Sequence, residues 1–538
     1  MVVTMHIDEQ IITSSSGAKH KRILLRESYR EGKKVKKRTL CNLSKLPAHI
    51  IDVIRSMTGK RARGKKPVVV SSDEIKCKVG LKFGSLFALY TCIKRTGILD
   101  ALGKGSNAMI IVWLICARIL FQGSRLKATR MARMYCTKTV LGLDDITEDQ
   151  CYHAMDWLSD RQQEIEDILI RKDTNKTKGV FLYDVTSFYL EGQDNELGEY
   201  GHNRDKKKGR KQIVVGLLTD AEGNPLSIEV FPGNTSDPKT CSKKIEDIKK
   251  RYSAGFLTLV GDRGMIREPQ IEKLMSHGWN YLTAITKPQI RKLLKEGVLQ
   301  PRLFDEEIQE VIEGNVRYVV RRNPVRAAEM MRSRADKLSK LREKAQQRTE
   351  YLAGHTKAKE QTALKYLQSY ATKLQIDQWA KVTAHNRALT IDVDDTILKE
   401  QSSLDGCYVI KTNITDSSLL TAKQAHDRYK DLALVEWAFR SLKTTMLQHR
   451  PIYHRKEMRT RAACFISMLA YKVVRDIINQ LSGNTDELLR LLFKTTSEVS
   501  HQALPLEDIL ADLDRIQQTT LQINNYEIPI IQTPLRFG

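Results

Sequence analysis

The chain has 538 residues, and its 89 Lys and Arg residues against 64 Asp and Glu residues give a formal net charge of +25. With 41% hydrophobic and 28% charged residues, the composition excludes a largely disordered, collagen-like or low-complexity chain. The length corresponds to about three or four domains. The charge excess favours a polyanionic partner, because Lys and Arg side chains that neutralise phosphates release counterions; the alternative is a basic protein without such a partner.

The nine cysteines are scattered singly and form no Cys-x-x-Cys pair. This pattern argues against a disulfide framework and a thiolate zinc site, and it favours a reducing, cytoplasmic location. The first residues, MVVTMHIDEQ, lack the features of a secretory signal. The longest apolar stretch, residues 108–121, is too short to span a bilayer and contains Arg118, so we expect a buried helix and no membrane partner.

Residues 1–66 contain 17 basic and 5 acidic residues, about half of the net charge of the chain. Two alternating runs, RILLRESYR and KKVKKRTL, flank a turn signal at Glu31-Gly32. This pattern predicts a basic amino-terminal hairpin module with its basic side chains on an exposed face. The RARGKKP sequence that follows is typical of a linker.

The rest of the chain changes its hydrophobic period several times. Helical spacing predicts a helical domain over 79–172, and strands that later alternate with helices predict an α/β fold, a mixed sheet flanked by helices, from 178. A charged helical hairpin, with strands NVRYVV and CYVIKT at its margins, predicts an α-rich insertion that splits this core. The predicted boundaries are 178–290 for the first part of the core, 291–415 for the insertion, 416–482 for the second part and 483–538 for a carboxy-terminal helical region.

Two aspartates lie where predicted strands end. Asp184 lies in FLYDVT, and Asp262 lies in TLVGDRGM between two glycines that allow close backbone approach. Ionised side chains are seldom placed at the end of a buried strand without a partner. The two carboxylates can converge if their strands are neighbours. The alternative is that each caps a turn.

Glu436 is the third candidate, and its argument depends on helical geometry. At 100° per residue, Tyr429, Glu436, Arg440 and Lys443 form one polar stripe on an amphipathic helix. Such a helix can pack on a sheet while presenting the stripe at its edge. The alternative is that Glu436 is half of an ion pair with Arg440.

A cluster of carboxylates suits Mg²⁺ or Mn²⁺, and two such ions can activate a water or hydroxyl and stabilise a leaving oxygen in phosphoryl transfer. Acidic metal ligands in a basic protein indicate a polyphosphate substrate. We therefore take Asp184, Asp262 and Glu436 as candidate metal ligands.

At these residues the sequence resembles a family. The segments YDVTSFYLEG, VFPGNTSD, LVGDRGM and YKDLALVEWAFRSLKTTMLQHRPIYHR resemble, in order, the signature blocks of DDE transposases of prokaryotic insertion sequences, in the branch with the Tyr-x2-Arg-x3-Glu-x6-Lys signature. The resemblance covers roughly residues 178–475, and RESYREGKKVKKRTLCNLSKL is similar to the amino-terminal hairpin of that branch. It implies an RNase H-like catalytic core, with Asp184, Asp262 and Glu436 as catalytic metal ligands and Tyr429 and Lys443 near transposon-end DNA.

Two departures from the family pattern stand out. Leu432 occupies the position of the family arginine, so Arg428 or Arg440 is a candidate replacement for the lost phosphate contact. A basic run between Asp205 and Gln212 is either a DNA clamp or a solvated loop. Its candidate DNA-binding residues are Lys206, Lys207, Lys208, Arg210 and Lys211.

Two other features have simpler interpretations. His449 and His454 have the wrong spacing for a shared helical face, so structural or DNA-facing roles are favoured over zinc ligation. The NTSD sequence at 234–237 is first a turn and helix cap, although its similarity to a family block leaves a role near the active site open.

The sequence therefore predicts a DNA transposase that acts in the cytoplasm, associated with the nucleoid. Its expected partners are the terminal inverted repeats of the element, target DNA and a second copy of the chain, since two ends must be joined in concert. The expected mechanism is metal-assisted cleavage at the transposon end followed by transfer of the 3′-hydroxyl strand into target DNA. The alternatives are a metal-dependent nuclease without strand transfer and a non-catalytic, element-derived DNA-binding protein, which would be expected to lack one carboxylate.

Overall fold

The computed structural model describes most of the chain, with gaps. The described residues are 4–13, 17, 19–58, 75–173, 179–202, 204–205, 207, 209–251, 257–304, 308–483, 506–523 and 526–532. The chain divides into two compact units, one formed by residues 1–80 with 518–532 and the other by residues 81–517 with 533–538.

The amino-terminal unit begins with an antiparallel sheet in the order β1-β2-β3. Its first elements are β1 (Thr4–Thr13), β2 (Lys19–Glu31), β3 (Lys34–Asn42), α1 (Ala48–Thr58) and β4 (Ile75–Cys77). The turn between β2 and β3 contains Gly32, whose φ of +64° suits a residue without a Cβ. Every residue of β3 is exposed, so this basic strand forms an open edge of the sheet.

The second unit begins with a helical region after the short strand β5 (Leu81–Lys82). Its helices are α2 (Gly84–Arg95), α3 (Ile98–Leu102), α4 (Ser106–Leu120), α5 (Arg125–Ala132), α6 (Thr137–Leu141), α7 (Glu148–Asp160) and α8 (Gln162–Asp173). The apolar stretch of the sequence forms α4, which is buried along most of its length, and Trp113 at its centre is fully buried. The start of α7 is fixed by a capping box between Thr147 and Gln150.

A mixed sheet of eight strands follows in the order β11-β12-β15-β10-β9-β6-β7-β8. Its members are β6 (Val180–Tyr189), β7 (Gln212–Asp220), β8 (Pro225–Pro232), β9 (Thr258–Gly261), β10 (Asn280–Ala284), β11 (Gln309–Glu313), β12 (Val316–Arg322) and β15 (Cys407–Thr412). The strands β8, β7 and β6 are antiparallel, β6, β9 and β10 are parallel, and the remaining pairs are antiparallel.

Helices cover both faces of this sheet, as a mixed sheet with buried strands requires. They include α9 (Asp237–Arg251), α10 (Glu268–Ser276), α11 (Lys287–Lys295), α15 (Ala422–Lys430), α16 (Leu432–Arg440) and α17 (Glu457–Gly483), with a 3₁₀ turn at Pro301–Phe304. Alternation along β6 separates two cores. Leu182 joins the core shared with α4, α16 and α17, whereas Phe181 and Tyr183 join the core under α9 and α10.

The insertion between β12 and β15 has its own hydrophobic core, which includes Leu341, Leu367 and Trp379. It consists of α12 (Pro324–Gly354), α13 (Glu360–Leu374), β13 (Ala380–His385), β14 (Ala388–Val393) and α14 (Asp395–Ser402). Its two ends meet, because Asn323 N donates to Gly406 O at 2.9 Å. The strands that we expected at its margins, β12 and β15, belong instead to the large sheet, where they pair with each other.

The carboxy-terminal region differs from the expected helical region. Its described residues form one short helix, α18 (Leu506–Leu513), followed by β16 (Gln517–Ile523) and β17 (Tyr526–Gln532). Strand β16 pairs antiparallel with β4, placing Leu521 opposite Cys77. A partner this far away in sequence is invisible to local periodicity, which explains the error.

Among the described residues, no single helix is long and apolar enough to cross a membrane. The helices α4 and α5 satisfy length and composition only as a pair bent by 98°.

A substitution at Gly233 tests how tightly the turn after β8 packs against the backbone of neighbouring segments. A Cβ at this position would lie 1.9 Å from Gln212 O and 2.5 Å from Glu199 O, both backbone atoms that cannot yield. We therefore expect Gly233→Ala to destabilise the protein by about 1–3 kcal/mol or more, lowering its thermal midpoint. Gly354→Ala is the control, since a Cβ there meets nothing within 4 Å. Equal midpoints for the two variants would contradict the packing.

Candidate active site

The first two candidate carboxylates come from neighbouring parallel strands. Asp184 lies within β6 rather than at its end, because β6 continues to Tyr189. The last pair between β6 and β9 joins Tyr183 to Gly261, so Asp184 and Asp262 are the next residues on their two strands. Both aspartates therefore lie where the pairing of β9 with β6 stops.

Glu436 reaches the same place from a helix. Strand alternation puts Asp184 on the same face as Leu182, and this is the face that α16 covers. Within α16, Val435 and Ala438 are buried against the core, and Glu436 is exposed. The amphipathic pattern thus fixes which side of α16 packs on the core and which side carries Glu436.

These three acids line one cavity of about 500 Å³. Its walls are mostly polar and carry charges of both signs. The lining residues are Asp184, Val185, Thr186, Arg204, Asp205, Asp237, Asp262, Met265, Glu436, Phe439, Arg440, Lys443, Thr444 and Arg450.

The polar stripe does not lie on one continuous helix, as we had expected. The chain breaks at Asp431 between α15 and α16, and Lys443 lies in a π-helical turn, Ser441–Thr445. Tyr429 nevertheless reaches the site from α15, where its hydroxyl donates to Asp262 Oδ1 at 3.3 Å. Burial raises the pKa of the Tyr429 hydroxyl, and the charge of Asp262 raises it further, so this residue remains a hydrogen-bond donor.

Asp184 is the acid most affected by its surroundings. Burial raises its pKa from an ordinary value of 3.8 to about 6, and the charges of Asp262 and Glu436 act in the same direction. The backbone N–H of Val185, 2.8 Å from Asp184 Oδ1, and the guanidinium of Arg204 oppose the rise. The cavity therefore crowds negative charge around a carboxylate that has lost much of its hydration.

Four charged residues of the cavity were not among the predicted site residues, although the sequence left a role near the site open for one of them, Asp237. Arg204 Nη2 pairs with Asp237 Oδ2 at 2.5 Å, and Lys443 Nζ pairs with Asp205 Oδ1 at 2.9 Å, where Arg450 also binds. The signal for Asp237 was the NTSD sequence, which does begin α9. Arg204 and Asp205 were visible only as members of the basic run, and nothing local marked Arg450.

The structure describes the basic run only in part. Two of its predicted DNA contacts, Lys206 and Lys208, lie outside the described residues. Lys207 Nζ lies 5.8 Å over the ring of Tyr189, Arg210 pairs with Glu191 at 2.8 Å, and Lys211 Nζ donates to a backbone carbonyl at 3.2 Å. These three do not line the cavity. Their role as DNA contacts stays a prediction.

The two candidates for the missing family arginine are placed differently. Arg428 pairs with Asp431 at 3.3 Å and is not among the residues that line the cavity. Arg440 lines the cavity and is exposed, four residues after Glu436 on α16. Of the two, Arg440 is the one in a position to meet a substrate in the cavity.

The segment after the π-helical turn accepts hydrogen bonds from side chains of the helical region. Gln122 Nε2 donates to Met446 O at 2.9 Å, and Arg118 Nη1 donates to Leu447 O at 3.4 Å. Arg118 is buried, and burial lowers its pKa to about 9. These contacts fix the backbone between Lys443 and Arg450.

His449 has a structural role. It is buried, its Nδ1 lies 2.7 Å from Ser467 Oγ and its Nε2 lies 3.4 Å from Cys464 Sγ. Burial lowers the pKa of His449 well below its ordinary value, so the ring is neutral at physiological pH. His454 is likewise enclosed by protein, and burial lowers its pKa to about 3.

The carboxylates fit a hard divalent cation by their chemistry. Among the described residues, no group of three or more His, Cys, Asp or Glu side chains is arranged to hold one metal ion. Mg²⁺, however, commonly binds through one or two carboxylates and completes its shell with water and substrate phosphates. The repulsion that Asp184 experiences from Asp262 and Glu436 is the electrostatic condition that a cation relieves.

Comparisons with known proteins identify the family of the chain. Residues 175–472 match the transposase DDE domain family, and residues 10–68 match the N-terminal domain of IS1634 family transposases. Comparison with curated proteins found no match. One similar solved structure is a cryo-EM structure of a piggyBac transposase synaptic complex with hairpin DNA. It has 8% identity and a TM-score of 0.39, with 80% of this chain and 78% of that chain covered. The DDE domain match spans more than half of the chain and includes all three acids.

The raised pKa of Asp184 leads us to expect that the free energy of unfolding depends on pH in metal-free buffer. Because the folded-state pKa exceeds the ordinary value, the contribution of Asp184 to stability is favourable below about pH 4 and is lost as pH rises through about 6. Asp184→Asn removes this loss, so the variant should gain roughly 3 kcal/mol over the wild type above about pH 7. Thermal unfolding at several pH values in a chelator measures the difference.

Asp194→Asn is the matched control, because the Asp194 side chain is 68% exposed. It should change stability little at any pH. A gain for Asp184→Asn that is the same at all pH values would contradict the explanation.

Proposed function

The chain belongs to the DDE transposase family, whose members generally use divalent metal ions, and we propose that Asp184, Asp262 and Glu436 are its catalytic carboxylates. The protein is a DNA transposase of the insertion-sequence kind. The observation that carries the assignment is the convergence of these acids, from β6, the end of β9 and α16, on one cavity that cationic side chains also line.

Asp184, Asp262 and Glu436 would hold Mg²⁺ or Mn²⁺. When bound, such ions activate the attacking water or hydroxyl and stabilise the leaving oxygen in phosphoryl transfer. The Tyr429 hydroxyl donates to Asp262 and so fixes the direction in which that carboxylate points. The cavity walls offer Lys443 and Arg440 to a DNA phosphate.

The proposed reaction has two steps at one site. Water first cleaves the phosphodiester bond at the transposon end and frees a 3′-hydroxyl. That hydroxyl then attacks a phosphodiester of the target DNA, so that one phosphodiester bond forms, another breaks and the 3′-oxygen of the target strand leaves. Neither step requires a covalent bond to the protein. A nuclease would carry out only the first step. A non-catalytic DNA-binding protein would not need to keep three acids together at a cost in repulsion, so their convergence favours an enzyme.

We also propose that the sheet is RNase H-like. The order β8-β7-β6-β9-β10 supports this assignment, with its first three strands antiparallel and the last two parallel to β6. This arrangement places the strand with Asp184 at the centre and the strand before Asp262 beside it. We further propose that two copies assemble on DNA, because two transposon ends must be joined in concert.

The carboxylate assignment predicts loss of chemistry without loss of DNA binding. Replacing Asp184, Asp262 or Glu436 by Asn should slow cleavage by about 1,000-fold or more, since a catalytic metal contributes several kcal/mol. The substrates are duplexes from the DNA that flanks the reading frame, incubated with a plasmid target and Mg²⁺. Gel analysis measures cut and joined products, and a mobility shift measures binding.

Cleavage by Asp262→Asn at the wild-type rate would refute the assignment. Cut ends without joined DNA, under conditions in which the wild type is fully active, would instead identify a nuclease. Omission of divalent ions should abolish both products.

We propose that the amino-terminal sheet binds DNA through one of its faces. Strand alternation puts Arg22, Arg30 and Lys37 on the same face, and Lys37 lies opposite Ser28 on β2. All three are exposed. On this face Arg26 pairs with Asp8 at 2.7 Å, whereas on the other face acids neutralise several cations. The pairs there are Lys21 with Glu9, Arg38 with Glu27 and Lys36 with Glu31.

Arg30→Gln and Lys37→Gln should each weaken DNA binding and reduce the slope of log K against log salt by about 0.9, the loss expected for one phosphate contact. Lys36→Gln is the matched control from the same strand, because Lys36 faces the other side and pairs with Glu31. Titrations at several salt concentrations measure the slopes. A larger effect of Lys36→Gln would place DNA on the opposite face.

A further inference from the structure

Asp205 is a buried carboxylate in an otherwise basic loop. Its side chain is only 3% exposed, although six of its neighbours between 204 and 211 are Lys or Arg. Three donors surround it: Lys443 Nζ at 2.9 Å, Arg450 Nη1, and the backbone N–H of Tyr189 at 3.3 Å. A carboxylate with this many donors is fixed in one orientation.

The two cations bound to Asp205 come from one distant segment. Lys443 lies in the π-helical turn after α16, and Arg450 lies just before Ile452, whose N–H donates to Tyr189 O at 3.1 Å. Lys443 Nζ also lies 5.5 Å over the ring of Phe188. Lysine and arginine side chains are usually mobile, so these contacts restrict both of them before any substrate arrives.

Both cations line the cavity that contains Asp184 and Glu436. One carboxylate between two cations leaves a net positive charge on this wall. The negative charge of the cavity that is not paired in this way comes from the candidate catalytic acids. A phosphodiester of DNA carries one negative charge, and Arg and Lys side chains are its usual partners in proteins.

We infer that Asp205 is a positioning residue that holds Lys443 and Arg450 together as a two-cation site for a DNA phosphate beside the bond that is cleaved. This inference rests on the proposed function. In this arrangement Arg450 contacts the substrate, a role that its sequence context did not suggest. Asp205 does not contact the substrate and acts only through Lys443 and Arg450. The competing explanation is that the three residues only fasten the loop to the π-helical turn.

The test uses the full-length protein, Mg²⁺ and duplexes from the DNA flanking the reading frame. Lys443→Ala and Arg450→Ala should each reduce the salt slope of DNA binding by about 0.9. Asp205→Asn keeps both cations, so it should leave the slope unreduced. It should slow cleavage by about 10- to 100-fold, because a misplacement of about 1 Å can cost that much. Asp194→Asn and Arg455→Ala are matched controls, with side chains 68% and 80% exposed; neither should change slope or rate.

A double-mutant comparison separates positioning from fastening. If Asp205 acts through its partners, Asp205→Asn should change the cleavage rate by less than about twofold in a protein that already carries Lys443→Ala and Arg450→Ala. The same rate loss in both backgrounds would overturn the inference. So would an unchanged salt slope for Arg450→Ala. If Asp205→Asn fails to fold, the slopes of the two single variants and their double variant decide.

Arg440→Ala and Asp184→Asn distinguish the remaining outcomes. If Arg440→Ala reduces the salt slope of DNA binding and Arg450→Ala does not, Arg440 makes the phosphate contact and the inference is overturned. Asp184→Asn should bind DNA with the wild-type slope and not cleave it. Cleavage by Asp184→Asn would refute the proposed function, whereas the salt slopes would still test the two-cation site.

Discussion

Repulsion among carboxylates that share one cavity is the constraint on which the arrangement of this core depends. Asp184 is surrounded by protein and faces the charges of Asp262 and Glu436, and both effects disfavour its ionised form. Cationic side chains from other elements line the same cavity. Arg204 neutralises Asp237, while Lys443 and Arg450 share Asp205. The cavity is therefore lined by carboxylates and by cations that come from several elements.

Local sequence patterns predicted the elements that carry the site, because strand and helix periods are short-range properties. The alternating and continuous apolar runs located β6 and β9, and amphipathic spacing located the helix with Glu436. The break at Asp431 was missed, since a helical wheel assumes a continuous axis. Tyr429 still reaches Asp262, because α15 packs beside the end of β9.

The rest of the site could not be predicted from local patterns. Asp205 and Lys443 are 238 residues apart, and only the tertiary fold brings them into contact. The same reason hid the strands at the carboxyl end, since the pairing of β16 with β4 joins residues from opposite ends of the chain. The role of the helical region was also invisible in its sequence. The side chains of Gln122 and Arg118 donate hydrogen bonds to the backbone between Lys443 and Arg450.

The hydrogen bond between Asn323 and Gly406 closes the insertion at its base. A folded segment whose ends are already adjacent costs the surrounding sheet little more chain entropy than a short turn between β12 and β15 would. The insertion also packs around its own core. The length of this segment can therefore change at little cost to the register of the sheet, and domains of quite different size can occupy the same junction.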